Sequence, residues 1–277
     1  PRPTAEEVDA HRASLLALCA VVDRMREGQE LHKTPVRNEH AYFCCISDIL
    51  KLPAPAPPQA GRAGAEPLFV VGDSHVLSSA WRWVELPPAA GRPDRVLPVP
   101  GVVTGAKIWH LREQSTFYTK FAFWERIAAV PVGGTVVIVL GEIDCREGIL
   151  RAVQRGRHPS AEAALSAVVA LYVELLREVR RRLPRSRIFV HPVPSVLKET
   201  RFLTLPFNAL LASPSTRELL DRINVQLLEF PSVFVGGEPE LGAVRHDELA
   251  KLELLEDLRL DGTHMSPAYA ASHLAPA

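Results

Sequence analysis

The chain has 277 residues, 47% hydrophobic and 23% charged, which suits a folded globular protein with room for one α/β domain and an appendage. Its 32 Lys and Arg balance 32 Asp and Glu, so overall charge makes no case for nucleic acid or an anionic membrane as partner. No stretch reads as a signal peptide or as an apolar run long enough to span a bilayer.

The chain begins at Pro1 rather than Met and is expected to be a piece of a longer protein. Thr4-Ala5-Glu6-Glu7 has the form of a capping box, with Val8, Leu15, Leu18, Cys19, Val22 and Met25 following at helical spacing. Cys19, Val22 and Met25 need apolar cover: the hairpin could pack beside the sheet, form a lid or mediate assembly, and packing on the core is the preferred reading. A second helix is predicted from about 38 to 50. Residues 52–64 are rich in Pro, Ala and Gly and read as a linker. A boundary near 66 therefore separates a helical hairpin with its linker (1–66) from an α/β domain (67–277).

Beyond that boundary, strands are predicted over 68–72, 95–99, 135–141, 187–192 and 232–235. Helices are predicted over 117–129, 160–183 and 214–230. The run Thr135-Val136-Val137-Ile138-Val139-Leu140-Gly141 is apolar without alternation, as expected of a strand covered on both faces. The helix from 160 carries Ser160 as N-cap and stops at Pro184. Arg177, Arg180, Arg181, Arg182, Arg185 and Arg187 gather at its end, where cations complement the helix dipole. The apolar members of 193–214, among them Leu203, Leu205 and Phe207, suggest a lid or a wall facing an acyl group. Strand–helix alternation of this kind predicts a parallel sheet with helices on both faces, whose ligands bind at the carboxyl ends of the strands. Ser74 and Asp144 fall just past such ends.

The four cysteines, Cys19, Cys44, Cys45 and Cys145, show no metal-binding spacing and read as buried free thiols, which leans towards the cytoplasm. His110, His158, His191 and His246 lack the pairing of a metal site and read as structural or surface groups. No metal and no cofactor is expected.

Two blocks carry chemistry. Phe69-Val70-Val71-Gly72-Asp73-Ser74-His75 delivers a hydroxyl to the end of a buried strand, and Asp261-Gly262-Thr263-His264 supplies a carboxylate and an imidazole in one short loop. A serine needs a base near neutral pH to become nucleophilic, and a carboxylate orients that base. Taken singly, each block also fits a plain structural role: Ser74 as a helix N-cap, and 261–264 as a turn before a helix.

Together and in this order the blocks resemble the SGNH (GDSL-type) hydrolases, in a variant with Gly-Asp-Ser-His in the first block. The resemblance covers roughly 68–275. It implies a flavodoxin-like three-layer α/β/α sandwich and the hydrolysis or transfer of ester-linked acyl groups. It also implies Ser74 as nucleophile, His264 as base and Asp261 as its orienting acid. The family's second block contributes a glycine whose N–H holds the oxyanion. Gly105 matches best and Gly101 is the rival, and either could be turn punctuation.

The third block departs from the family's Gly-x-Asn-Asp: here Gly141-Glu142-Ile143-Asp144-Cys145-Arg146 puts Ile143 where an asparagine donor belongs. Loss of one oxyanion donor typically costs a hundred- to a thousandfold in turnover. Arg146 could replace the donor, the backbone donors could suffice, or the site could be a binding pocket without catalysis. Arg146 could equally be occupied in a salt bridge with Glu142, Asp144 or Glu147. Gly105, Arg146 and Asp144 are thus the candidate oxyanion and substrate-binding residues. The expected substrate is a small-molecule or glycan ester, cleaved by water or passed to another alcohol. The sequence sets no oligomeric state.

Overall fold

The computed structural model describes residues 5–51, 66–80, 84–85, 95–193 and 201–228. By its internal contacts the chain divides into two compact units, Pro1–Gly64 and Ala65–Ala277.

In the first unit, helix α1 (Ala5–Arg26) and helix α2 (Arg37–Lys51) are joined through a single 3-10 turn, Leu31–Lys33. The Arg12 guanidinium reaches across from α1 and donates to the Leu50 carbonyl from Nε and Nη2 at 3.1 and 2.8 Å. Arg26 closes the other end, donating to Asp23 and to Cys44 Sγ and lying over the Phe43 ring. Cys19 is half-buried, while Leu15, Leu18, Val22 and Met25 are exposed.

The second unit is an α/β fold of the three-layer type. Among the described residues its strands are β1 (Glu66–Gly72), β2 (Val84–Glu85), β3 (Arg95–Val102), β4 (Thr135–Val139), β5 (Arg187–Val190) and β6 (Val225–Leu227). They form one sheet in the order β2-β3-β1-β4-β5-β6, parallel except for the two-residue edge strand β2. The parallel strands, counted along the chain, run 2-1-3-4-5, the flavodoxin arrangement. In such a sheet the ligand crevice lies where the winding reverses, here at the carboxyl ends of β1 and β4.

Alternate side chains of the strands go to opposite faces. Val71, Val136, Ile138, Ile188 and Val190 join one apolar cluster, which includes Phe123 and Ile127 of helix α3 (Tyr118–Ala128). The same cluster takes in Leu176 of helix α5 (Ala161–Arg182). Leu68, Val70, Val137, Val139 and Phe189 form the other face with Val76 and Leu228. All ten of these strand residues are buried, which explains why β4 reads as a continuous apolar run rather than an alternating one. Helix α5 starts as expected, with Ser160 Oγ accepting from the Ala163 amide at 3.2 Å. A short helix α4 (Ile149–Gln154) precedes it.

Three expectations change. The helix predicted over 214–230 ends early: α7 is Pro214–Arg222, and the next residues form β6. Asn224 adopts φ 52°, the left-handed conformation that terminates helices and that asparagine tolerates better than most residues. Of the stretch expected to be a lid or acyl-facing wall, 194–200 lie outside the described residues, while 201–211 form helix α6 (Arg201–Leu211), with Leu203, Phe207 and Leu211 buried in the core at one-turn spacing. Pro206 sits inside that helix and obscured it in the sequence. Finally, two strands are shorter than predicted: Leu140 and Gly141 follow β4, and His191 and Pro192 follow β5. The predicted strand 232–235 and the linker 52–64 lie outside the described residues.

Candidate active site

The geometry starts at Gly72. A Cβ there would lie 1.7 Å from the Val139 carbonyl oxygen, so only glycine lets the end of β1 pass this close to β4. Backbone bonds then lock three strand ends together: Asp73 N–H donates to the Val139 carbonyl at 3.1 Å and Val103 N–H to that of Gly72 at 2.7 Å. Ser74 opens a 3-10 helix, Ser74–Ser79, at the carboxyl edge of the sheet and is 9% exposed.

Ser74 is not the N-cap of that helix. Asp73 is: its Oδ1 accepts from the His75 amide at 3.0 Å and sits 3.0 Å from His75 Nδ1, both side chains being buried. Capping thus falls to the neighbour, and the plain structural reading of Ser74 loses its main argument. An Asp directly before a helical turn is itself an N-cap signal, and it was legible in the sequence.

On one side, the loop after β3 carries Gly105 at φ 67°, a left-handed conformation that favours glycine. Gly101 lies within β3, in register with Val71, so of the two rivals only Gly105 belongs to the loop. A second 3-10 helix, Ile108–Leu111, follows. On the other side, the chain leaves β4 through Gly141 at φ 116° and enters a π-helical turn, Asp144–Gly148; such turns recur at functional sites.

Asp144 ties the two loops together. Its carboxylate accepts from the Ile108 amide at 2.7 Å and from the Trp109 amide at 3.3 Å. Burial pushes its pKa up to about 7, with the nearby Asp73 charge acting in the same sense; the two amide bonds and Lys107 oppose the rise. Tyr172, also buried, is pushed further above its ordinary value by burial and by Asp73 and Asp144. Its hydroxyl and Asp73 Oδ2 are buried without a hydrogen-bond partner among the described residues. Three acidic groups, Asp73, Asp144 and Tyr172, are therefore buried together beneath the sheet edge.

Arg146 is engaged. Its Nε lies 2.9 and 3.2 Å from the two carboxylate oxygens of buried Glu142, and Nη1 lies 3.7 Å from Glu147. The salt-bridge alternative is the arrangement present, and the guanidinium is held at this loop. Ile143 is buried. Cys145 is buried too, its thiol pushed up chiefly by burial. All four cysteines are free, but only Cys45 and Cys145 are buried; Cys19 and Cys44 are half-buried, against expectation.

The structure thus brings Ser74, Gly105, Asp144 and Arg146 to one sheet edge, while Asp261 and His264 lie outside the described residues. The buried pair of Asp73 and His75 and the tie from Asp144 to Ile108 and Trp109 were missed in the sequence. Among the described residues, no cluster of His, Cys, Asp or Glu could hold a metal ion. No described helix is long and apolar enough to cross a membrane. No protein-family model matches the chain, and no curated protein matches it.

Proposed function

We propose that the chain is a serine-dependent ester hydrolase with Ser74 as nucleophile, His264 as general base and Asp261 as the acid that orients it. The observation that carries this reading is the placement of Ser74. It stands at the carboxyl end of the central strand β1, at the reversal of winding, beside the loop bearing Gly105 and with Asp73 as cap. Catalytic groups on open α/β sheets sit at this position. The resemblance of the 72–75 and 261–264 blocks to SGNH hydrolases supports the same assignment.

In the proposed reaction Ser74 Oγ attacks the acyl carbon while His264 takes its proton. The tetrahedral oxyanion is held by the N–H groups of Ser74 and Gly105. The carbon–oxygen bond to the alcohol then breaks, and His264 returns the proton to the departing oxygen. Water, deprotonated by His264, attacks the acyl-enzyme and releases the acid, regenerating the Ser74 hydroxyl. With Nε of Arg146 already committed to Glu142, the two backbone donors carry the oxyanion.

A fluorophosphonate probe tests this directly. Labelling confined to Ser74, lost in Ser74→Ala and slowed at least a hundredfold in His264→Ala, is the expected result. An unlabelled folded protein, or undiminished ester cleavage by Ser74→Ala, overturns it.

A further inference from the structure

A cavity of about 200 Å³ opens beside the loop that Asp144 holds. Its walls come from separate parts of the chain. Lys107 and His110 belong to the loop after β3, Arg151 to α4, and Arg155, Arg157 and His158 to the segment between α4 and α5. The carboxylate in its lining is Asp144, which is already turned to the Ile108 and Trp109 amides. Lys107 and Arg151 share one counter-charge, each 3.6 Å from Glu147 Oε2. Arg155 and Arg157 form no ion pair with any described residue, so among the described residues the cations of this lining outnumber the carboxylates that face them.

The helix dipole accounts for part of this. Cations at the end of α4 complement its C-terminus, though a helix this short has a weak field. It does not account for Arg157, which follows a turn at Gly156 with φ 66°, nor for Lys107, which arrives from a different loop. Cations drawn from two stretches of the chain, Lys107 and the run from Arg151 to Arg157, suit an anion with more than two acceptor oxygens. A carboxylate would be satisfied by one guanidinium fork. The volume is below that of pockets for drug-sized ligands and suits a single small group. The cavity also adjoins the candidate site, since Asp144 is common to both.

We propose that this cavity binds a phosphate or sulfate monoester group carried by the substrate, so that the ester cleaved at Ser74 belongs to a small anionic molecule. The link to Ser74 rests on the function proposed above; the anion site itself does not.

The test is calorimetric titration at constant ionic strength with methyl phosphate, methyl sulfate and acetate. Wild type and Ser74→Ala are expected to bind one of the two monoesters saturably and alike, with acetate at least tenfold weaker. The better ligand of the two identifies the ester. Binding should fall at least tenfold in Arg155→Ala/Arg157→Ala and recover in part in Arg155→Lys/Arg157→Lys. Both arginines are exposed, so a circular dichroism spectrum like that of wild type is expected for each variant. No saturable binding of either monoester, or equal binding by the alanine double variant, overturns the proposal. Monoester binding by a protein whose Ser74 resists the fluorophosphonate would sink the hydrolase reading alone; a labelled Ser74 without monoester binding would sink the anion site alone.

Discussion

Asp144 concentrates the chemistry of the sheet edge in one side chain. Its carboxylate is buried, satisfied by two amides, and pushed up to about 7 from 3.8, first by burial. The sign follows from proton linkage. Between those two values the folded state holds a proton that the unfolded state has released, so stability falls as pH rises from about 4 to about 7 and then levels off. The full effect is on the order of 4 kcal/mol. Asp144→Asn keeps the shape and removes the titration. Wild type is therefore expected to lose stability relative to this variant by a few kcal/mol between pH 4 and 8, measured by urea unfolding at four pH values. A difference that does not vary with pH would show that Asp144 is ionised throughout. The identities of Ser74, Gly105 and Asp144 were readable in the sequence because each sits where a strand ends. What Asp144 binds was not, since Ile108 and Trp109 come from another loop.

Among the helices, α5 shows how like residues diverge once packed. Arg177 and Arg181 pair with Glu174 and Glu178 on an exposed face, and Arg182 shares Glu178 while lying over the Trp124 ring. Arg180 does something else. Its guanidinium donates to the carbonyls of Leu183, Pro184 and Ser186 beyond α5 and to those of Ile223 and Asn224 between α7 and β6. It thereby ties the end of one helix to the turn that delivers the edge strand. Dipole complementarity, the role read from sequence for the whole run, describes the exposed members better than this one. Arg180→Met should destabilise the protein by about 2 kcal/mol, the scale for losing charge-assisted bonds that are partly exposed. Arg181→Met should leave the unfolding midpoint where it is. Equal effects of the two substitutions in parallel denaturant melts would refute the clamp.

For the molecule as a whole, protection should follow position in the sheet. β1 and β4 lie inside it with both faces buried, whereas α1 exposes Leu15, Leu18, Val22 and Met25. Amides of 69–71 and 136–139 should exchange only through global opening, and those of α1 orders of magnitude faster. Exchange measured by mass spectrometry on peptic fragments checks this, and comparable rates in the two segments would count against it. The fold class was determined by the sequence itself, because strand and helix periods and the unbroken apolar run of 135–139 are local properties that burial on both faces imposes on each segment. Helix boundaries held where a cap or a proline marked them, as at Ser160 and Pro184. They failed at Asn224, whose left-handed conformation ends α7 early, and at Pro206, which sits inside α6. Tertiary structure alone decided the strand order, the fit of Gly72 against Val139, and the meeting of Lys107, Arg151, Arg155 and Arg157 around one cavity. Each of these depends on distances between residues far apart along the chain, and such distances exist only once it has folded.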